Sequence, residues 1–299
     1  MVDGGYNLDD DGTCRLSSAN HSLSDNHDVN FSGGLANNGG ATRTVALASN
    51  SSAAGAIPAG TNGCAATVAS DQRGISRPGT LTASCSIGAY EYVVPVTTSI
   101  TSCLQTPSFF GLLTKGGYIV FDADCTANLA AFKRSLIFQT NTMINANGHT
   151  VTFGGPLSNQ FPIFKNGGVL VLNGVTISHG GAPEGESCSA ICDTGGTLVL
   201  LNSTVSLNNG NAVANTGALY ENGAGITVVT NSTFEDNLAS SAIVTDASQG
   251  GDPGLVVSNS TLLRARPVLA PIITPCIWAA HPRLATAPSA ATEAESVGR

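Results

Sequence analysis

The sequence predicts an all-β solenoid, a parallel β-helix, with a small turn-rich domain in front of it. Three observations predict this. First, one phrase recurs: Gly168-Val-Leu-Val-Leu-Asn173-Gly-Val-Thr-Ile177, Gly196-Thr-Leu-Val-Leu-Leu-Asn202-Ser-Thr-Val205, Gly225-Ile-Thr-Val-Val-Thr-Asn231-Ser-Thr-Phe234 and Gly254-Leu-Val-Val-Ser-Asn259-Ser-Thr-Leu262. Its anchors Asn173, Asn202, Asn231 and Asn259 lie 29, 29 and 28 residues apart, and a fixed period of this size marks stacked units. Second, residues alternate within each phrase, as in Leu198-Val-Leu-Leu-Asn202 and Ile226-Thr-Val-Val-Thr-Asn231, so the aliphatics are expected to point inward. Third, charged residues are 11%, aromatics 5% and glycines number 35, a composition rich in strand and turn formers and poor in helix formers. Apolar residues reach 42% and recur periodically, which separates the chain from disordered sequences.

The chain has 299 residues, enough for one long domain or two modest ones. Net charge is −8, and the 12 lysines and arginines are scattered without a basic stripe, which argues against nucleic-acid binding. No apolar run is long enough to span a membrane. Eight cysteines without a Cys-x-x-Cys motif favour disulfides and an oxidising compartment. Cys64 with Cys85 and Cys103 with Cys125 are the expected pairs. Cys188 and Cys192 are either disulfide partners or part of a metal cluster, for which only His179 lies near in sequence. The N-terminus has neither a basic n-region nor an apolar h-region. The expectation is an extracellular or cell-surface protein, with Met1 internal to a longer gene product and the export signal upstream.

Residues 1–94 form the first unit. It holds little repetition and many turn signals, among them Asn38-Gly39-Gly40 and Arg77-Pro78-Gly79. Its phrases are Asn38-Gly-Gly-Ala-Thr-Arg-Thr-Val-Ala-Leu47, Ala56-Ile-Pro-Ala-Gly60, Asp71-Gln-Arg-Gly74 and Cys85-Ser-Ile-Gly-Ala-Tyr-Glu-Tyr92, after a Gly5-Tyr-Asn-Leu8 start. In this order, over residues 4–92, they resemble the choice-of-anchor Q domain of bacterial exported proteins. Pro58 and Ser86 stand where that family usually has Asp, which removes a carboxylate at each place. The resemblance implies a terminator or anchor-associated domain that commonly follows a right-handed β-helix. Asp71, Arg73, Arg77 and Glu91 are expected to form a buried salt-bridged core, since a small turn-rich domain needs polar clamps.

Residues 95–115 read as a linker, and the β-helix is expected over 116–263. Gly116-Gly-Tyr-Ile-Val-Phe121 followed by Asn147-Gly-His-Thr-Val-Thr152 resembles the first rungs of bacterial right-handed β-helix proteins. Between them, residues 128–138 are either a capping amphipathic helix with Leu129, Phe132 and Leu136 on one face or a distorted first rung. The Asn anchors tolerate left-handed turns and can stack their amides along the rod. The variable loops are placed at 178–195, 206–224 and 235–253 and are expected on one flank. Residues 264–299 lose the pattern and carry Pro267, Pro271, Pro275, Pro282 and Pro288, so a disordered or aberrant tail is expected.

Candidate chemistry is sparse. Asn7, Asp9 and Asp11 resemble the front half of a calcium loop without its closing Glu, so calcium is the one cofactor considered, against a hydrogen-bonded Asx turn. Asp122 and Asp124, with Lys165 as base, are the residues a carbohydrate-active enzyme would use. No ladder of acids is visible across the repeats, and a single lysine separates Arg134 from Arg264. His149 is expected to brace a turn. The functional expectation is therefore a monomeric, non-catalytic, exported scaffold or adhesin-like protein, with extracellular polysaccharide or a surface protein as partner. The alternative is a polysaccharide-binding or pectate-lyase-like degrading protein on the same fold. Fold alone does not decide between them.

Overall fold

The computed structural model describes residues 2–129, 133–154, 161–182, 187–210, 217–222, 225–238, 241–246 and 254–263. Met1–Val268 is one compact unit. The other unit, Leu269–Arg299, and the expected tail from 264 lie outside the described residues.

The chain begins with two small antiparallel pairs, β1 (Phe31–Ala36) with β2 (Thr44–Leu47) and β3 (Ile57–Pro58) with β4 (Ser84–Cys85). The solenoid opens with β5 (Thr98–Ile100) and the helix α1 (Pro107–Leu113). Each following turn adds three strands: β6 (Gly117–Phe121), β7 (Cys125–Asn128), β8 (Leu136–Phe138); β9 (Thr142–Asn145), β10 (Val151–Gly154), β11 (Phe164–Asn166); β12 (Val169–Asn173), β13 (Val175–Ser178), β14 (Cys188–Asp193). The same order continues with β15 (Thr197–Leu201), β16 (Thr204–Ser206), β17 (Gly217–Asn222); β18 (Ile226–Thr230), β19 (Thr233–Glu235), β20 (Ser241–Asp246); and ends with β21 (Gly254–Ser258) and β22 (Thr261–Leu262). Strands one turn apart pair in parallel, giving a first sheet β5-β6-β9-β12-β15-β18-β21, a second β7-β10-β13-β16-β19-β22 and a third β8-β11-β14-β17-β20. The fold is a parallel β-helix.

Two features differ from the sequence reading. The third strand of each turn, β14, β17 or β20, lies inside what reads as variable loop. Its outward residues vary, and only its inward positions (Ile191, Leu219, Ile243) keep an aliphatic register. Residues 95–115 are part of the solenoid, not a linker: β5 pairs with β6, and α1 delivers Phe109, Phe110 and Leu113 to the core. Thr106 caps α1 by accepting the Phe109 N–H, and Pro107 opens it. Over 128–138, β7 ends at Asn128 and β8 starts at Leu136, while residues 130–132 lie outside the described residues.

The core runs along the rod axis. Phe121, Phe153, Phe138, Phe164 and Phe234 are fully buried, and the first four form edge-to-face contacts at 5.1–6.1 Å between ring centres. In the first sheet Ile144, Leu172, Leu200 and Val229 stack inward, as expected. The intervening Val171, Val199 and Val228 are also buried, but they point outward, against Ile57, Ala59, Cys64, Ala65, Ala83 and Cys85 of the N-terminal segment. A strand covered on both faces becomes a nearly continuous apolar run, and this explains why Val-Leu-Val-Leu shows so little polar alternation. The second sheet faces solvent instead: Thr126, Thr152, Thr176, Thr204, Thr233 and Thr261 form one unbroken outward column.

Candidate binding cleft and buried polar columns

The Asn-Ser-Thr phrase builds the corner between the first and second sheets. Asn202, Asn231 and Asn259 adopt left-handed backbone (φ 49°, 50° and 46°), and Gly174 takes that position one turn earlier (φ 74°). The side-chain amide of Asn259 donates to Asn231, Asn231 to Asn202 at 3.2 Å, Asn202 to Asn173 at 2.7 Å and Asn173 to Asn145 at 3.4 Å. The Asn145 amide then donates to the Tyr118 hydroxyl at 3.0 Å. The ladder is thus longer than its four anchors, and Asn145 and Tyr118 were not signalled by the repeated phrase. The following Ser forms a second, buried ladder. Ser203 Oγ accepts the Val175 N–H at 3.2 Å, and Ser232 Oγ accepts the Ser203 N–H at 3.1 Å. A third column, Asn208 over Asn237 (2.9 Å), turns the chain from the second sheet toward the third.

The N-terminal segment meets the asparagine ladder and leaves a cleft of about 570 Å³ between them. The solenoid contributes Tyr118, Met143, Asn145, Asn147, Val171, Asn173 and Leu201; the N-terminal segment contributes Arg73, Ile75, Ser76, Pro78 and Val93. Ser76 joins the two sides, accepting from the Asn173 amide at 3.3 Å. The volume and the mixture of apolar walls with a few amides and hydroxyls fit a small ligand site. The cations at its back are already committed. Arg73 pairs with Asp71 at 2.7 Å and lies over the Tyr90 ring at 3.6 Å, and Arg77 pairs with Glu91 at 3.0 Å. All four charged side chains are nearly or fully buried. Burial would raise the Asp71 carboxyl, but the Glu91 N–H, the Arg73 side chain and the Ile75 and Arg73 N–H groups outweigh it and hold the group below the ordinary carboxylate range. Glu91 is shifted the other way, because its burial outweighs the Ser86 and Gly79 N–H groups and the Arg77 charge. Ser86 Oγ, at one position where the resembled family carries Asp, accepts the Tyr92 N–H at 3.0 Å.

Asp122 and Asp124 flank the corner between the first two sheets. Asp122 accepts from Ser99 and, at 3.2 Å, from the Asn147 amide; Asp124 accepts the Thr150 N–H at 2.8 Å and faces His149 at 3.4 Å. Lys165 lies on β11, in the third sheet, in register with Ile137 and Cys192. The three do not share a corner of the rod. Asp9 accepts the Cys14 N–H at 2.9 Å, Asp11 accepts from the Thr13 N–H and hydroxyl, and Asn7 donates to Asp3 at 2.9 Å, the pattern of a turn held by Asx hydrogen bonds. No group of three or more His, Cys, Asp or Glu side chains converges as a metal centre among the described residues. Cys64–Cys85, Cys103–Cys125 and Cys188–Cys192 are disulfides, and Cys14 is an exposed free thiol.

The expectation that no acids stack is overturned at one place. Asp193 on β14 is in register with Glu221 on β17, at the corner between the third and first sheets, and both are fully buried. The signal was present as Cys192-Asp193-Thr-Gly-Gly and Tyr220-Glu221-Asn-Gly, 28 residues apart, but it lay within the spans assigned to loops. Burial first, and then the charge of Glu221, push the Asp193 carboxyl up to about 8; burial also raises Glu221.

No protein-family model, curated protein or solved structure matches the chain. Among the described residues no helix is long and apolar enough to cross a membrane.

Proposed function

We propose that this protein is an exported or cell-surface β-helix scaffold, adhesin-like in role, that presents loops and the inter-segment cleft for binding without catalysis. The observation that carries this reading is the commitment of its surface carboxylates. Asp122 and Asp124 are hydrogen-bonded into turns at one corner, while Lys165 belongs to another sheet, so these acids and this base do not face one groove. Three disulfides support residence in an oxidising compartment. The resemblance of residues 4–92 to choice-of-anchor Q domains supports an anchor-associated role for the N-terminal segment.

A second reading, recognition of polysaccharide, is favoured by the cleft itself. It offers amides from Asn145, Asn147 and Asn173 and the Tyr118 hydroxyl beside apolar walls, with its one lining arginine, Arg73, already paired with Asp71. That chemistry suits a neutral, hydroxyl-rich chain better than an anionic one.

The test is a panel of neutral and acidic polysaccharides with the purified protein, with and without calcium, scored for binding and for release of reducing or unsaturated ends. The scaffold reading expects no release on any of them. Binding of neutral glycans that is lost in Asn147→Ala supports recognition in the cleft. Release of ends, abolished by Asp122→Asn, would overturn the non-catalytic reading.

A further inference from the structure

We propose that Asp193 and Glu221 share a single proton and form a pH-sensitive clasp between two successive turns of the rod. The inference is independent of what the protein binds.

Of the four carboxyl oxygens, two have donors and two do not. Asp193 Oδ1 accepts from the Asn166 amide at 3.1 Å and from the Gly196 N–H at 3.1 Å. Glu221 Oε2 accepts from the Thr227 hydroxyl at 2.6 Å. The remaining oxygens, Asp193 Oδ2 and Glu221 Oε1, are buried and receive no donor. The two residues are register partners on adjacent parallel strands, which sets their side chains one above the other on the same face. Two ionised carboxylates in a dry corner would repel each other, and their orphaned oxygens would lose hydration without compensation. A proton placed between those oxygens satisfies both and removes one charge.

Among the described residues, the strands around the pair provide no counter-charge on that face. Of the strands packed around the pair, β12, β15 and β18 carry no titratable residue. β14 adds Cys188 and Cys192, which are joined in a disulfide. β11 carries Lys165 and β17 carries Tyr220, one position before Asn166 and Glu221, so strand alternation turns both to the opposite face. β20 carries Asp246, whose carboxylate takes the Tyr220 hydroxyl at 2.5 Å.

The backbone of the following strands rests directly on these carboxyls. A Cβ on Gly225 would lie 2.5 Å from Glu221 Oε1, and one on Gly196 would lie 2.9 Å from Asp193 Oδ1. Loss of the shared proton therefore sets a repulsive pair against the chain as it passes from the third sheet to the first. The groups bind their proton more tightly in the fold than in the unfolded chain. The stability they contribute is complete below the ordinary carboxylate range and is lost as pH rises toward about 8.

The test follows thermal melting and amide exchange of the full chain from pH 5 to pH 9 at fixed ionic strength. Wild type is expected to lose roughly 5–10 °C across this range, with exchange rising first in β14, β17 and the residues that follow them. Asp193→Asn and Glu221→Gln, which keep the shape and leave one carboxyl, are expected to flatten the slope. A flat wild-type profile, or variants with the wild-type slope, overturns the clasp. So does a stabilisation by added calcium at pH 8 that requires Asp193, since the corner would then hold a cation. Infrared spectroscopy of wild type alone covers variants that fail to fold: a protonated-carboxyl band at pH 7 that disappears by pH 9 supports the proposal, and its absence at pH 7 overturns it.

Discussion

Asn202 donates its side-chain amide to Asn173 one turn away at 2.7 Å, while its own backbone sits in the left-handed region at φ 49°. One residue therefore closes a turn and ties it to the next. The two roles separate by substitution. Asn202→Ala loses both and is expected to cost about 2 kcal/mol; Asn202→Gly keeps the backbone and should recover roughly half. Chemical denaturation measures this, and equal losses for the two variants would show that the backbone conformation contributes nothing.

The first sheet is buried on both faces, the second on one. Val199 is fully buried against the N-terminal segment, whereas Thr204, on the next strand, is only partly covered on the solvent-facing column. Val199→Asp is expected to cost about 3 kcal/mol or more, and Thr204→Asp less than about 1 kcal/mol. Limited proteolysis of Val199→Asp should cut first in residues 1–94. A uniform sensitivity of both variants would contradict the docking of that segment on the sheet.

The disulfides differ in what they restrain. Cys64–Cys85 closes a separation of 21 residues and staples the segment that covers the first sheet; Cys188–Cys192 spans 4 residues within one strand. Replacing Cys64 and Cys85 together by Ala should cost about 2–4 kcal/mol, and the Cys188 and Cys192 pair clearly less, because a short loop restricts the unfolded chain little. Melting temperatures of the two double variants rank them directly.

Asp71 predicts an acid limb. Its folded value lies below the ordinary 3.8, so the stability it contributes is present above that pH and is lost as pH falls below it. Wild type should destabilise between pH 5 and pH 3, and Asp71→Asn, already weakened at pH 7, should change less over that interval. An identical slope for both, read from melts, would remove Asp71 from the account.

Asp71, Arg73, Arg77 and Glu91 were legible because a small turn-rich domain needs polar clamps, and the structure buries them as two ion pairs. The Asn anchors were legible for the same reason: a left-handed turn repeated each period selects Asn or Gly at one place. The third strand was hidden because β14, β17 and β20 share only their inward aliphatics, and their outward residues answer to neighbours that differ from turn to turn. The acid pair was hidden with it. Asp193 and Glu221 read as loop polars until the register set one above the other.

By itself, then, the sequence determined the repeat, the parallel β architecture and the turn chemistry, because each is a local conformational preference renewed every period. Only the tertiary structure decided that the N-terminal segment covers the outer face of the first sheet, that a cleft opens beside the asparagine ladder and that two carboxyls meet in a dry corner. Those depend on which surfaces come together across long stretches of chain, and a buried Val facing inward has the same letter as one facing a neighbouring segment.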